Sequence, residues 1–258
     1  MGLFDRFRRK REEKVSPGGS PIYRYEEQKE EGVQLPQNVG VYADEVERRF
    51  EELFPGRDSR ILHEIVSDLV HVDVHVMWPT PEQDFFVLYT TGMSDLPMTP
   101  DPDIPAEDRR DLELAELFLF LPGDWPLSKE EPPSEAAYWP IRTLKFMARF
   151  PHQYHTWLGW GHTMPNGPDY TPFCDGVGFG GVVLSWSGDD GRLGSLETQD
   201  GRKINFYGVI PAYKEEIEYK LKYGMEGLDK LFREKRLPLI LDVRRPNLCP
   251  DFKEVLDG

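Results

Sequence analysis

Two imidazoles and a carboxylate stand at alternate positions in His71-Val72-Asp73-Val74-His75. All three are competent zinc or iron ligands, and a histidine beside a carboxylate is also the raw material of acid–base catalysis. The valines at 70, 72, 74 and 76 alternate strictly with these polar residues, a period of two that reads as a strand with one apolar face. On such a strand residues four apart lie about 13 Å from one another. His71 and His75 therefore cannot share one ion, and the expectation is a solvent-facing polar side with no bound metal. The four valines should face the core, because a register slip of one would bury both histidines and the aspartate.

His152, His155 and His162 form a second group, without a nearby cysteine and with Pro151 interrupting the helix that would space them. A hydrogen-bonding role is expected there. Gly176-Val177-Gly178-Phe179-Gly180-Gly181 satisfies G-x-G-x-x-G literally. The dinucleotide fingerprint needs it after a strand and opening a helix. Here it precedes a strand-like segment, so it reads as a glycine-rich loop. Glu215 and Glu218 are read as the solvated face of a helix rather than as a catalytic pair. No nucleophile elbow, phosphate-binding loop or zinc-protease motif occurs. The expectation is no catalytic residue, no cofactor and no metal ligand.

Gly92-Met93-Ser94-Asp95 follows a strand-like run and reads as a structural turn. Gly92 permits a backbone conformation closed to other residues, while Ser94 and Asp95 can bond nearby backbone N–H groups.

The elements that position these residues follow from periodicity. Tyr42, Val46, Phe50 and Leu53 recur at helical spacing, and Pro55-Gly56 ends that helix. Strands are expected at 70–76, 84–91, 115–121 and 179–186. Asp200-Gly201 signals a hairpin between 195–199 and 202–210. A helix over 138–150 carries Pro140 in its first turn, and another begins after Pro211 with an interruption at Gly224. Strands and helices do not alternate regularly. The fold class expected is α+β, a mixed β-sheet flanked by helices in a single compact domain. Residues 1–40 read as a basic and polar tail and linker, 41–235 as the domain, and 236–258 as a C-terminal extension.

The formal charge is −15, from 31 basic and 46 acidic residues. Phosphate backbones are repelled by such a surface, so no nucleic acid is expected as a ligand, while a basic protein partner would be attracted. Residues 1–14 run against this balance, with six basic residues facing three acidic ones, and Leu3, Phe4 and Phe7 could give a weak membrane-surface contact. Ser16-Pro17-Gly18-Gly19-Ser20-Pro21 reads as a flexible break. No apolar run of about 18 or more residues occurs, so no transmembrane segment is expected. Cys174 and Cys249 are far apart, without a CxxC, and imply a reduced, cytoplasmic compartment.

Five ordered stretches resemble the suppressor of fused family in its short bacterial form. They are Leu62-His63-Glu64-Ile65 leading to Val72-Asp73-Val74, Thr91-Gly92-Met93-Ser94-Asp95-Leu96-Pro97-Met98, and Tyr138-Trp139-Pro140-Ile141-Arg142. The others are Trp157-Leu158-Gly159-Trp160-Gly161-His162-Thr163, and Ile204-Asn205-Phe206-Tyr207 with Tyr213-Lys214-Glu215-Glu216. The resemblance implies a non-enzymatic protein-binding module. The animal relative clamps a transcription-factor peptide between two domains, and at 258 residues this chain is not expected to hold the second. Bacterial relatives are proposed as immunity proteins, which implies a toxin-like partner. Two rival expectations stand beside it: a histidine–carboxylate enzyme around His71, His75 or His162, and a regulatory scaffold recruited through its basic tail.

Overall fold

The computed structural model describes residues 14–25, 35–63, 69–185 and 193–252. The tail residues 1–13 and the proposed membrane contact at Leu3, Phe4 and Phe7 lie outside them.

A mixed sheet forms the centre. Its strands run in the order β3 (Ser59–Leu62), β4 (Asp73–Met77), β5 (Phe85–Thr91), β6 (Leu114–Pro122), β10 (Lys203–Ala212), β8 (Gly181–Ser185) and β7 (Thr163–Pro165). The short β9 (Ser195–Glu197) pairs with the start of β10 across the Asp200-Gly201 turn, where Gly201 takes a positive φ of 72°. β10 lies parallel to β6, whereas β3 to β6 form an antiparallel meander. A small hairpin, β1 (Lys14–Val15) with β2 (Pro21–Ile22), stands apart from this sheet.

Both faces of the sheet are covered. α3 (Glu135–Gln153) packs its Trp139, Ile141, Leu144, Met147 and Ala148 against one face, where the valines at 70, 72, 74 and 76 point, all 1% exposed or less. The four valines are therefore core residues, as their alternation requires. α1 (Ala43–Leu53) seals the opposite face with Val46 and Phe50 against Tyr89, Phe118 and Phe206. α4 (Lys214–Glu234) closes the β8 end through Ile217, Met225, Leu228 and Phe232. The short α2 (Ala106–Arg110) sits in the loop before β6.

Three local expectations change. α3 begins earlier than its sequence pattern indicates, because Ser134 caps it by accepting the Ala137 N–H, so Pro140 lies in the second turn. Both Pro140 and Pro151 are inside the helix. Each interior proline costs about 3 kcal/mol, and burying large side chains such as Trp139 and Leu144 returns roughly 1.5–3 kcal/mol apiece. Packing thus holds a helix that propensity alone would break. Secondly, the break expected at 16–21 is a tight turn docked on α4. Gly224 there has φ 75° and ψ 174°, which interrupts the helix, and the Leu221 carbonyl accepts the Gly18 N–H at 2.8 Å. Thirdly, residues 236–252 return to the body: Leu241 N–H bonds the Phe120 carbonyl, and the Arg245 side chain is buried.

Candidate functional site

The Gly92 turn holds one end of the sheet together. Gly92 has φ +98°, and a Cβ built on it would sit 1.9 Å from the His71 carbonyl oxygen. Only glycine fits there, on both conformational and steric grounds. A single 3₁₀ turn follows over Met93–Asp95. The Ser94 N–H and hydroxyl both donate to Glu116 Oε1, at 2.9 and 2.7 Å, while Thr90 Oγ1 donates to Oε2 at 2.6 Å. Thr90 Oγ1 in turn accepts the Leu117 N–H. Glu116 is fully buried, and burial pushes its carboxyl up to about 7 against the pull of these donors.

Asp95 performs a different task. Its carboxylate accepts the N–H groups of Gly40 at 2.6 Å and Val41 at 2.8 Å, with that of Tyr42 adding to them. These groups lie just ahead of α1, so one side chain fixes where that helix starts. Burial raises the Asp95 carboxyl above its usual range, and the N–H bonds oppose the rise. The Met93 carbonyl accepts from His152 Nε2 at 3.0 Å. His152 is buried and its pKa falls to about 4, chiefly through desolvation, so it serves as a neutral donor.

Next to this turn lies the histidine–carboxylate group. His71 Nε2 stands 3.2 Å from Asp73 Oδ1, and His63 Nδ1 stands 2.9 Å from Asp73 Oδ2. His63 comes from the residue after β3, which pairs antiparallel with β4. Lys145 of α3 donates to the His63 carbonyl at 3.2 Å, and burial lowers its pKa while the charge of Asp73 opposes that. Among the described residues, His63, His71 and Asp73 are the group of three whose ligand atoms all approach within 4.8 Å.

His75 departs from its expected place. It is 3% exposed, stacked on Tyr89 at 4.6 Å, which stacks in turn on Phe50 at 3.9 Å. The sequence gives no sign that α1 covers this side of β4, so a solvent-facing side was the wrong reading at this position. Burial lowers the His75 pKa to about 4, and its Nε2 pairs with Thr91 Oγ1 at 2.9 Å. His162 packs edge-on against Trp157 at 4.4 Å, far along the chain from the His71 group. Burial lowers its pKa to about 4, and Lys220 contributes in the same direction.

Glu215 and Glu218 also differ from a solvated helix face. Glu218 is buried and accepts from Tyr170 Oη at 3.2 Å, and Glu215 accepts from Asn247 at 2.7 Å. Between them, the fully buried Glu216 meets Arg245 in a bidentate pair, with both N–O distances 2.6 Å. Glu216 also accepts the N–H groups of Tyr213 and Leu248. The Arg245 guanidinium lies over the rings of Phe179 and Tyr213 and donates to the Pro211 carbonyl. Arg245 and Glu116 passed unnoticed in the sequence because an isolated charged residue reads as exposed by default. Cys174 and Cys249 are free thiols, with that of Cys249 pushed up to about 11 by burial.

Two recesses among the described residues lie elsewhere. One is lined by Met98–Pro100 with Ala106, Arg109, Arg110 and Glu113, and the other by Phe118–Phe120 with Ser185 and Gly208–Ile210. Neither contains a histidine. No helix among the described residues is long and apolar enough to cross a membrane.

Comparison with known proteins places these features in a family context. The sequence profile of the suppressor of fused protein matches residues 68–246. A protein of Ureaplasma parvum serovar 3, UU111, is 30% identical over 135 residues, which cover 52% of this chain and 62% of that relative. The matched stretch thus spans less than two thirds of that protein's length. Among solved structures, a suppressor of fused homologue from Neisseria gonorrhoeae FA 1090 superposes with a TM-score of 0.57 at 16% identity, covering 80% of this chain and 96% of that one. The Sufu–Fu complex gives 0.54 at 14% identity, covering 83% and 93%. Drosophila Suppressor of Fused gives 0.52 at 14%, covering 84% of this chain but 52% of that one. At these identities the structural likeness speaks to the fold.

Proposed function

Because this chain belongs to the suppressor of fused family, we propose that it is a protein-binding module that turns over no substrate, and that its partner is a basic protein of the toxin type which it inhibits. The observation that carries the reading is family membership; one structural relative is seen in the Sufu–Fu complex. Charge supports the second part. The formal balance is −15 overall, and more negative still once the basic residues 1–14 are set aside. A toxin that acts on nucleic acid must carry a positive surface, which an acidic inhibitor can mask. The burial of Glu116, Glu216 and His75, each hydrogen-bonded within the fold, favours binding over catalysis, since an acid or base must reach a substrate.

The test is co-expression with toxin domains encoded beside this gene, followed by association kinetics at low and high salt. Survival of the host and an on-rate that falls at least tenfold between low and physiological salt are expected. Binding indifferent to salt would remove the electrostatic part and leave the module. Turnover of a small substrate by the purified chain, abolished by His71→Ala, would replace the reading with an enzyme.

A further inference from the structure

We propose that His63, His71 and Asp73 form a binding site for one divalent transition cation of the zinc type. The separation between His71 and His75 argues against a metal on one strand, and tertiary pairing supplies what that strand lacks. His63 enters from the neighbouring chain segment, and the two imidazoles approach different oxygens of one carboxylate, at 2.9 and 3.2 Å. A tetrahedral zinc with bonds of about 2.0–2.1 Å sets its ligand atoms roughly 3.3–3.4 Å apart. Whichever Asp73 oxygen takes the ion, one imidazole nitrogen already stands near that spacing from it, and one atom from each of the three residues can be chosen so that all lie within 4.8 Å of one another. The His63 side chain is 66% exposed, so its ring can swing to close the rest, whereas Asp73 at 15% is held in place.

Imidazole and carboxylate together suit zinc and its first-row neighbours better than magnesium or calcium, which prefer all-oxygen shells. The surrounding charge is mixed. Lys145 opposes a cation, while Glu47 and Asp95 add negative potential around Asp73 and His71. With three protein ligands, a tetrahedral ion bound here would keep one position for water or an outside donor.

The experiment uses the full chain, stripped with a chelator, dialysed, and titrated with zinc chloride in competition with a chromophoric chelator. Native mass spectrometry gives the stoichiometry, and cobalt(II) absorption reports the geometry. One equivalent is expected to bind with a tetrahedral cobalt spectrum. Removing an outer partner of a metal ligand typically costs 10–100-fold in affinity, so His63→Ala and Asp73→Asn should each weaken binding at least tenfold. His63 is exposed, and its variant should keep the far-ultraviolet circular dichroism of the parent. His155→Ala, an exposed histidine outside the group, is the control and should bind like the parent. Failure to bind zinc at micromolar concentrations would overturn the site. So would affinity unchanged in His63→Ala, or lost equally in His155→Ala.

Discussion

At Gly92 a side chain has no place to go. A methyl group would meet the His71 carbonyl well inside contact distance, and the positive φ adds strain of about 1–3 kcal/mol for any other residue. Gly92→Ala is therefore expected to lower unfolding free energy by at least about 3 kcal/mol, read from urea denaturation. Unchanged stability would mean that the turn relaxes freely. Glu116 makes a pH-dependent contribution. Its carboxyl titrates near 4.5 when exposed and near 7 in the fold, so the native state holds the proton more tightly. The favourable contribution is complete below about pH 4.5 and lost as pH rises through about 7. The span corresponds to about 3 kcal/mol. His75, His152 and the partly buried His162, with pKa values lowered to about 4, run the other way, losing stability as pH falls below their ordinary value. The informative quantity is consequently a difference. Relative to the parent, Glu116→Gln should gain stability steadily between pH 4.5 and 7. A difference that stays flat would place the Glu116 titration elsewhere.

Between elements, two contacts join segments distant in sequence. The Arg245–Glu216 pair ties the chain after α4 to that helix's first turn, where Glu216 also bonds the Tyr213 N–H. Breaking a buried pair leaves one charge without compensation and costs about 3–5 kcal/mol. Arg245→Met should show that loss in chemical denaturation, whereas Arg245→Met combined with Glu216→Leu should recover much of it. If the single change proved neutral, the pair would contribute nothing. The second contact is the hairpin of β1 and β2 at the α4 kink. A Cβ on Gly18 would meet the Gly224 nitrogen at 2.8 Å and the Leu221 carbonyl at 2.9 Å. Gly18→Ala should undock this hairpin, visible as faster amide exchange over residues 14–25 with little change in global stability. Equal exchange in the two proteins would show that the contact holds nothing down.

For the whole molecule, charge is the property that acts at a distance. A surplus of acidic residues steers a basic partner before any contact forms, and salt screens that steering over about 10 Å at 0.1 M. Deleting residues 1–13 removes more basic than acidic charge and makes the remainder more negative. Association with a basic partner should accordingly quicken at low salt, while the dissociation rate stays similar. Slower association after the deletion would assign the tail a direct part in binding.

By itself the sequence determined the elements whose signal is local. Valine alternation marked β4 and its core face, Asp200-Gly201 marked the hairpin of β9 and β10, and Gly224 marked the break in α4. Ordered motifs from Leu62 to Glu216 marked the family. Each rests on neighbours in the chain, where periodicity and backbone chemistry leave a trace. Only the tertiary structure decided what the other side of a strand or helix meets. It buried His75 under α1, enclosed Glu216 with Arg245 twenty-nine residues away, and set Glu116 beneath Ser94. It also brought His63 across to Asp73. Those outcomes depend on which surfaces pack together, and a charged residue looks the same in sequence whether water or a buried partner will satisfy it.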